Sequence, residues 1–264
     1  MAGKEVTHML TLVRQELFKL YKKKSTLILF GIIVLIMILI GFSSKSNSDI
    51  FEPEQVFTTA YSAFAYIVFV MIVQASTILT MEFQYGTIKN LLYRNYSRTQ
   101  IIISKGLTLL IYSLFLYVSM VVISIIIKAI MFPDLGFLQE AAEGMNVIQV
   151  LLFNALGNFV GLWLIISLVL LISCIFRSTA VSIVIGIIFY FAASVVSGIL
   201  FLAIDKWEWV KWNPVNMLNL SNQLMNSDVE SMTHLSINQL FAGNIIYIAI
   251  FLFLVYIVFK RKNI

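Results

Sequence analysis

Charge is scarce in this chain. Only 12% of its 264 residues are Asp, Glu, Lys or Arg, about half the share usual in soluble domains. Apolar residues make up 60%, against about 45–50% in such domains. Too little polar surface is left to clothe a water-soluble core, so the solvent must be lipid. Cysteine is nearly absent. Cys174 is the only one, which excludes an internal disulfide and a Cys-x-x-Cys pair and reads as a small buried hydrophobe. Proline is confined to Pro53, Pro133 and Pro214, all in polar segments, so no apolar run is broken by one. A Gly-x-x-x-x-Gly-Lys-Ser/Thr phosphate cradle, a His-Glu-x-x-His zinc helix and a Gly-x-Ser-x-Gly elbow are missing as well. Those absences argue against ATP binding by that route and against catalysis by the chain itself, and leave it without a candidate metal or cofactor site.

What is present is a set of uncharged runs long enough to cross a hydrocarbon layer of about 30 Å, which takes about 20 residues as a helix. Six runs qualify: 25–42, 57–81, 101–127, 147–176, 181–204 and 240–259. Alternating barrel strands are absent, so the runs read as helices, which satisfy their own backbone in lipid. The expected fold is therefore an all-α integral membrane domain over residues 1–264. Apart from Lys105 near the start of the third run, the runs hold no ionisable Asp, Glu, Lys, Arg or His, so an ion-coupled carrier, which needs such groups in mid-membrane, is disfavoured.

Orientation follows from the basic residues, which favour the cytoplasmic side. With the N-terminus inside, 14 of the 18 Lys and Arg lie inside with only three acids, whereas ten acids lie outside. Both termini are then cytoplasmic. Lys22 to Lys24 precede a short first run, but about twenty residues of helical periodicity come before them and no small-residue cleavage site follows. An uncleaved span is favoured over a signal peptide.

Four segments outside or within the spans carry information. Residues 4–24 place Val6, Leu10, Val13, Leu17 and Leu20 on one face, the pattern of an amphipathic helix in the membrane interface; His8 falls on its polar side. Between spans two and three, Gly86-Thr87 can open a short helix over 86–94, with Thr87 as N-cap and Ile88, Leu91 and Leu92 sharing a face. Ser97-Arg98-Thr99-Gln100 has capping-box form for the third span. A short helix with an exposed apolar triad suits docking on a soluble partner, though it is also the shape of a plain connector. Residues 205–239 form the longest outer loop, with Trp207, Trp209 and Trp212 as an aromatic belt or as contacts for an amphipathic substrate. Inside the spans, Gln74, Asn154, Asn158 and Gly157-x-x-x-Gly161 suit helix packing against a partner, or mark a substrate path.

The loop after span two resembles that of the type-2 permeases of ATP-binding-cassette exporters, especially small bacterial ones associated with bacitracin, lantibiotic and amphipathic-peptide export or immunity. The matching residues are Glu82, Gly86, Thr87, Leu91, Leu92, Ser97-Arg98 and Lys105, supported by the run from Glu16 to Thr26. Asn95-Tyr96 departs from the proline that relatives often carry there. The resemblance implies that 86–94 is a coupling helix and that Glu82, Gly86, Thr87, Ile88, Leu91 and Leu92 dock a separate ATPase. It also implies two ATPase copies holding ATP and magnesium, a second permease chain, identical or different, and a bacterial plasma-membrane location. Nucleic acid is not implied as a partner. Substrate identity stays open, as does a rival reading: a non-transporting immunity or sensor scaffold that binds a peptide at the bilayer surface.

Overall fold

The computed structural model describes residues 2–87, 93, 96–141, 144–176 and 178–261. Among these, six helices are long and apolar enough to span a membrane. An N-terminal helix, α1 (Ala2–Lys22), leads into α2 (Lys24–Ser46). A short α3 (Pro53–Thr58) and a kink precede α4 (Ala63–Gln84). The other spans are α5 (Arg98–Met131), α6 (Val147–Phe176), α7 (Thr179–Ile204) and α11 (Ile237–Arg261). Three short helices fill the last connection: α8 (Pro214–Met217), α9 (Leu220–Met225) and α10 (Glu230–Thr233).

Four spans run a few residues beyond the expected boundaries and α6 matches them, whereas α4 begins at Ala63 instead of 57 because α3 and the kink take up 57–62. At the start of α5 the Ser97 hydroxyl accepts from the Gln100 amide at 3.1 Å, and the Gln100 side chain accepts from the Ser97 amide at 2.9 Å. This capping box satisfies two amides that a helix start leaves unpaired. Pro53 and Pro214 each occupy a first helical turn, where a missing N–H costs nothing.

The core lies around α4 and α6. In their most apolar stretches 67% and 61% of residues are buried, against 22% in α2, 17% in α11 and 11% in α7. α6 packs on α4, α7, α9 and α11, and α1 lies along α5. Thirty residues of α6 rise about 45 Å, more than the hydrocarbon layer of about 30 Å, so this helix projects beyond the layer.

Before α4 the chain passes through three successive left-handed residues, Ala60, Tyr61 and Ser62, with φ of 50°, 50° and 62°. Side chains with a Cβ resist this region, and the surroundings hold it in place. Ala60 and Tyr61 are fully buried, and the Asn154 amide donates to the carbonyl of Thr58 at 2.9 Å.

Two expectations are refined. On α1, Val13 is buried and Leu17 and Leu20 are half-buried against the bundle, Leu10 is exposed, and Leu12 and Glu16 join the buried side. The reason is electrostatic, since Glu16 is drawn inward by a buried ammonium described below. The small-residue stripe of α6 does pack closely on helices, and they are this chain's own short ones. A Cβ at Gly157 would stand 2.7 Å from the Cα of Ser221 on α9, and one at Gly161 would stand 3.7 Å from Leu218. The segment 205–239 thus folds back on the bundle.

Candidate coupling site

The end of the bundle that carries α1 also carries the last turn of α4, the first turns of α5 and the connection between them. Lys105, about two turns into α5, is 2% exposed. An ammonium buried without partners would cost several kcal/mol. Here its Nζ donates to Glu16 Oε1 of α1 and to Glu82 Oε1 of α4, each at 3.3 Å. Lys19 reaches the same two oxygens from the rim, at 2.9 Å to Glu16 and 3.3 Å to Glu82. Two carboxylates and two ammoniums therefore share one neutral cluster. Burial works against the charge of Lys19, but its hydrogen bond to Glu16 and the attraction of both carboxylates outweigh that cost and hold its pKa above the ordinary lysine value.

The second oxygen of Glu82 is also used. Thr87 donates its hydroxyl to Glu82 Oε2. Between them Gly86 adopts φ +65°, a left-handed conformation that glycine enters without a Cβ penalty. The chain leaving α4 is thereby turned and pinned to the carboxylate that Lys105 holds. A cavity of about 220 Å³ beside the cluster is bordered by Glu16, Lys23, Gln74, Thr77, Glu82 and Thr87.

Two further ties surround this connection. The hydroxyls of Thr80 and Thr179 lie 2.5 Å apart, linking α4 to the start of α7. Arg98 donates to the carbonyl of Lys260 at 2.8 Å, linking the start of α5 to the end of α11. The helix ends around residues 85–97 thus form one platform.

Of the residues expected to dock a partner, Glu82, Gly86 and Thr87 are described, and they meet at this turn. Glu82 is 8% exposed and faces inward to α1 and α5, while Tyr85 and Tyr93 stand out at 73% and 84% exposure. Ile88, Leu91 and Leu92 lie outside the described residues. Sequence reasoning missed the roles of Glu16 and Lys19. The available signal was an acid in mid-stripe: Leu12, Glu16 and Leu20 recur at steps of four, which places Glu16 among apolar neighbours.

The residues considered for a substrate path do not form one site. Gln74 is buried at the cavity just described. Asn154 and Asn158 sit in the opposite half of the bundle, joined through Ser221: Asn158 donates to the Ser221 hydroxyl at 2.7 Å, and Ser221 donates to Asn154 Oδ1 at 2.9 Å. Trp207, Trp209 and Trp212 are exposed at 58%, 77% and 44%, on the connection after α7. Beside the Asn158–Ser221 link a groove of about 580 Å³ opens between α6, α7 and the short helices. Ser194, Ser197 and Asn219 contribute polar atoms to it, and among the described residues no charged one lines it.

Comparison with known proteins places this architecture. The family described as ABC-2 family transporter protein matches residues 12–194. The chain belongs to the ABC-2 transporter family. The matched region contains Glu16, Glu82 and Lys105 and ends within α7. Among curated proteins, the chain is similar to the uncharacterized membrane protein YdbK of Bacillus subtilis (strain 168). Identity is 31% over 140 residues, which is 52% of this chain and 54% of that protein. It is also similar to the uncharacterized protein YhcI of the same organism, with 25% identity over 205 residues, 73% of this chain and 63% of that one. The alignments thus span between half and just under two thirds of these relatives.

Proposed function

We propose that this ABC-2 family chain is the membrane-spanning subunit of an ATP-driven exporter. A separate ATPase, which would hold ATP and magnesium, docks on residues 86–94. The observation that carries this reading is the buried cluster at the root of that segment. Lys105, Glu16 and Glu82 tie α1, α4 and α5 together, and Glu82 in turn holds Thr87. A push on the segment would therefore move three helices at once instead of bending one loop. In this reading Gly86 and Thr87 set the angle of the docking segment, Ile88, Leu91 and Leu92 supply its apolar contact, and Glu82 anchors it from within.

Alternating access needs a second set of spans to rock against. The poorly buried α2, α7 and α11 leave apolar surface for another permease chain, identical or different, and for lipid. Both termini and residues 86–94 then face the cytoplasm of a bacterial plasma membrane, as the basic bias requires. The groove near Asn158 is uncharged and amphipathic, which suits antimicrobial or other amphipathic peptides, or similar hydrophobic compounds.

The test is co-purification of the full-length tagged chain with ATPase subunits from its own cell, followed by the peptide sensitivity of cells with and without the pair. The double variant Leu91→Asp/Leu92→Asp is expected to lose the ATPase and the protection together. A non-transporting peptide-binding scaffold, the competing reading, would keep its protective effect in that variant.

A further inference from the structure

A second cleft opens sideways between α5 and α11 on the half of the bundle nearer α1, with a volume of about 580 Å³. Ile102, Gly106 and Leu110 recur at steps of four along one wall, a run of about 12 Å at 1.5 Å per residue. Phe253 and Tyr256 form the other wall, and Trp163 of α6 closes the floor. Gly106 keeps the wall low: a Cβ there would meet nothing within 4 Å. Apart from Thr99, Tyr256 and Lys105, whose ammonium is already held by Glu16 and Glu82, the lining is apolar, so the cleft has the shape and chemistry of a slot for a hydrocarbon chain.

Its mouth is charged. Arg98 begins α5 and donates to the Lys260 carbonyl at 2.8 Å, which brings the two basic residues together at the end of the cleft. Lys260 and Arg261 close α11 and are both exposed, with the Lys260 ammonium 5.7 Å from the ring centre of Tyr256. Among the described residues, three cations thus lie beside the end of the slot that Thr99 and Tyr256 line. We propose that this cleft is a binding site for one anionic phospholipid, with an acyl chain along α5 and the phosphate on Arg98, Lys260 and Arg261. Guanidinium groups favour a phosphate by forked hydrogen bonding, and basic pockets between spans select anionic headgroups.

The tryptophans make the site measurable, because Trp163 lies on its floor while Trp207, Trp209 and Trp212 belong to the connection after α7. Replacing those three by Phe in the full chain leaves Trp163 as the only indole. The protein is reconstituted in phosphatidylcholine vesicles containing acyl-brominated phosphatidylglycerol or, at equal mole fraction, acyl-brominated phosphatidylcholine. The expected result is an apparent affinity about fivefold higher for the brominated phosphatidylglycerol, the factor that one surface cation supplies. The triple variant Arg98→Gln/Lys260→Gln/Arg261→Gln is expected to erase that preference while quenching by the brominated phosphatidylcholine persists. Gly106→Leu, which fills the slot and leaves Arg98, Lys260 and Arg261 in place, is expected to lower quenching by both lipids. Equal quenching of Trp163 by the two lipids would overturn the proposal, as would a preference that survives the triple variant.

Discussion

The bundle buries polar side chains in both halves, by opposite means. Near α1 the buried groups are formal charges, with Lys105 between Glu16 and Glu82, drawn from helices far apart in the chain. Near the short helices they are neutral amides and hydroxyls; the one charge buried in that half among the described residues is Lys128 at the end of α5, 3% exposed and 3.9 Å from the ring centre of Phe137. Asn154, Asn158 and Ser221 bond to one another, Asn244 donates to the carbonyl of Met217 at 2.7 Å, and Gln223 donates to that of Leu235 at 2.7 Å. A buried charge is stable only while its partners are present, so the Lys105 cluster enforces one arrangement of its helices. A network of amides loses about 1 kcal/mol per deleted hydrogen bond and tolerates rearrangement. The rigid end adjoins the segment through which force would enter, and the adaptable end adjoins the uncharged groove.

Substitutions can break or sharpen this contrast, and the largest effect is expected at Lys105. Lys105→Met strands two carboxylates in the interior and should destabilise the protein by about 3–5 kcal/mol. Thermal unfolding in detergent would show it as a large loss, most of which Lys105→Arg should recover. Next comes Gly157→Val in the other half. Its side chain would collide with the backbone of α9, costing about 1–3 kcal/mol of overpacking, and hydrogen exchange should locate the loosening in residues 205–239. Asn158→Ala should cost about 1 kcal/mol by the same unfolding assay. The mildest is Lys19→Ala, since the ammonium is 59% exposed and a solvated ion pair contributes at most about 1 kcal/mol. Because the fold raises the pKa of Lys19, its contribution is complete below the ordinary lysine value of 10.5 and is lost only as pH climbs through the raised one. Wild type and Lys19→Ala should therefore differ by the same amount in stability from pH 6 to 9.

Much of the fold could be read directly from the sequence. The spans are legible because each is a long uncharged run, and the start of α5 because Ser97 and Gln100 stand three apart. The fold of 205–239 was not, because helices of four to six residues such as α8 and α9 carry no periodicity to detect. Its polar residues, read as loop, are what satisfy the carbonyls that folding back would otherwise leave bare. The coupling site was half legible. Glu82, Gly86, Thr87 and Lys105 stand out around one turn, but Glu16 lies 89 residues from Lys105, and only the packing of α1 on α5 brings them together. That same pairing explains why Glu16 joins the buried side of α1 beside Val13: it behaves as a core residue once its charge is matched.

The central claim, that charge pairing between α4 and α5 carries the push from the docking segment into the bundle, is tested most directly by exchanging the partners. The ATP hydrolysis rate of the complete permease–ATPase complex would be measured for Glu82→Lys, for Lys105→Glu and for both together. The singles should each lose at least about tenfold, equivalent to 1.4 kcal/mol, and the double should regain most of the loss. Singles that hydrolyse ATP at the wild-type rate, or a double no better than either single, would contradict it.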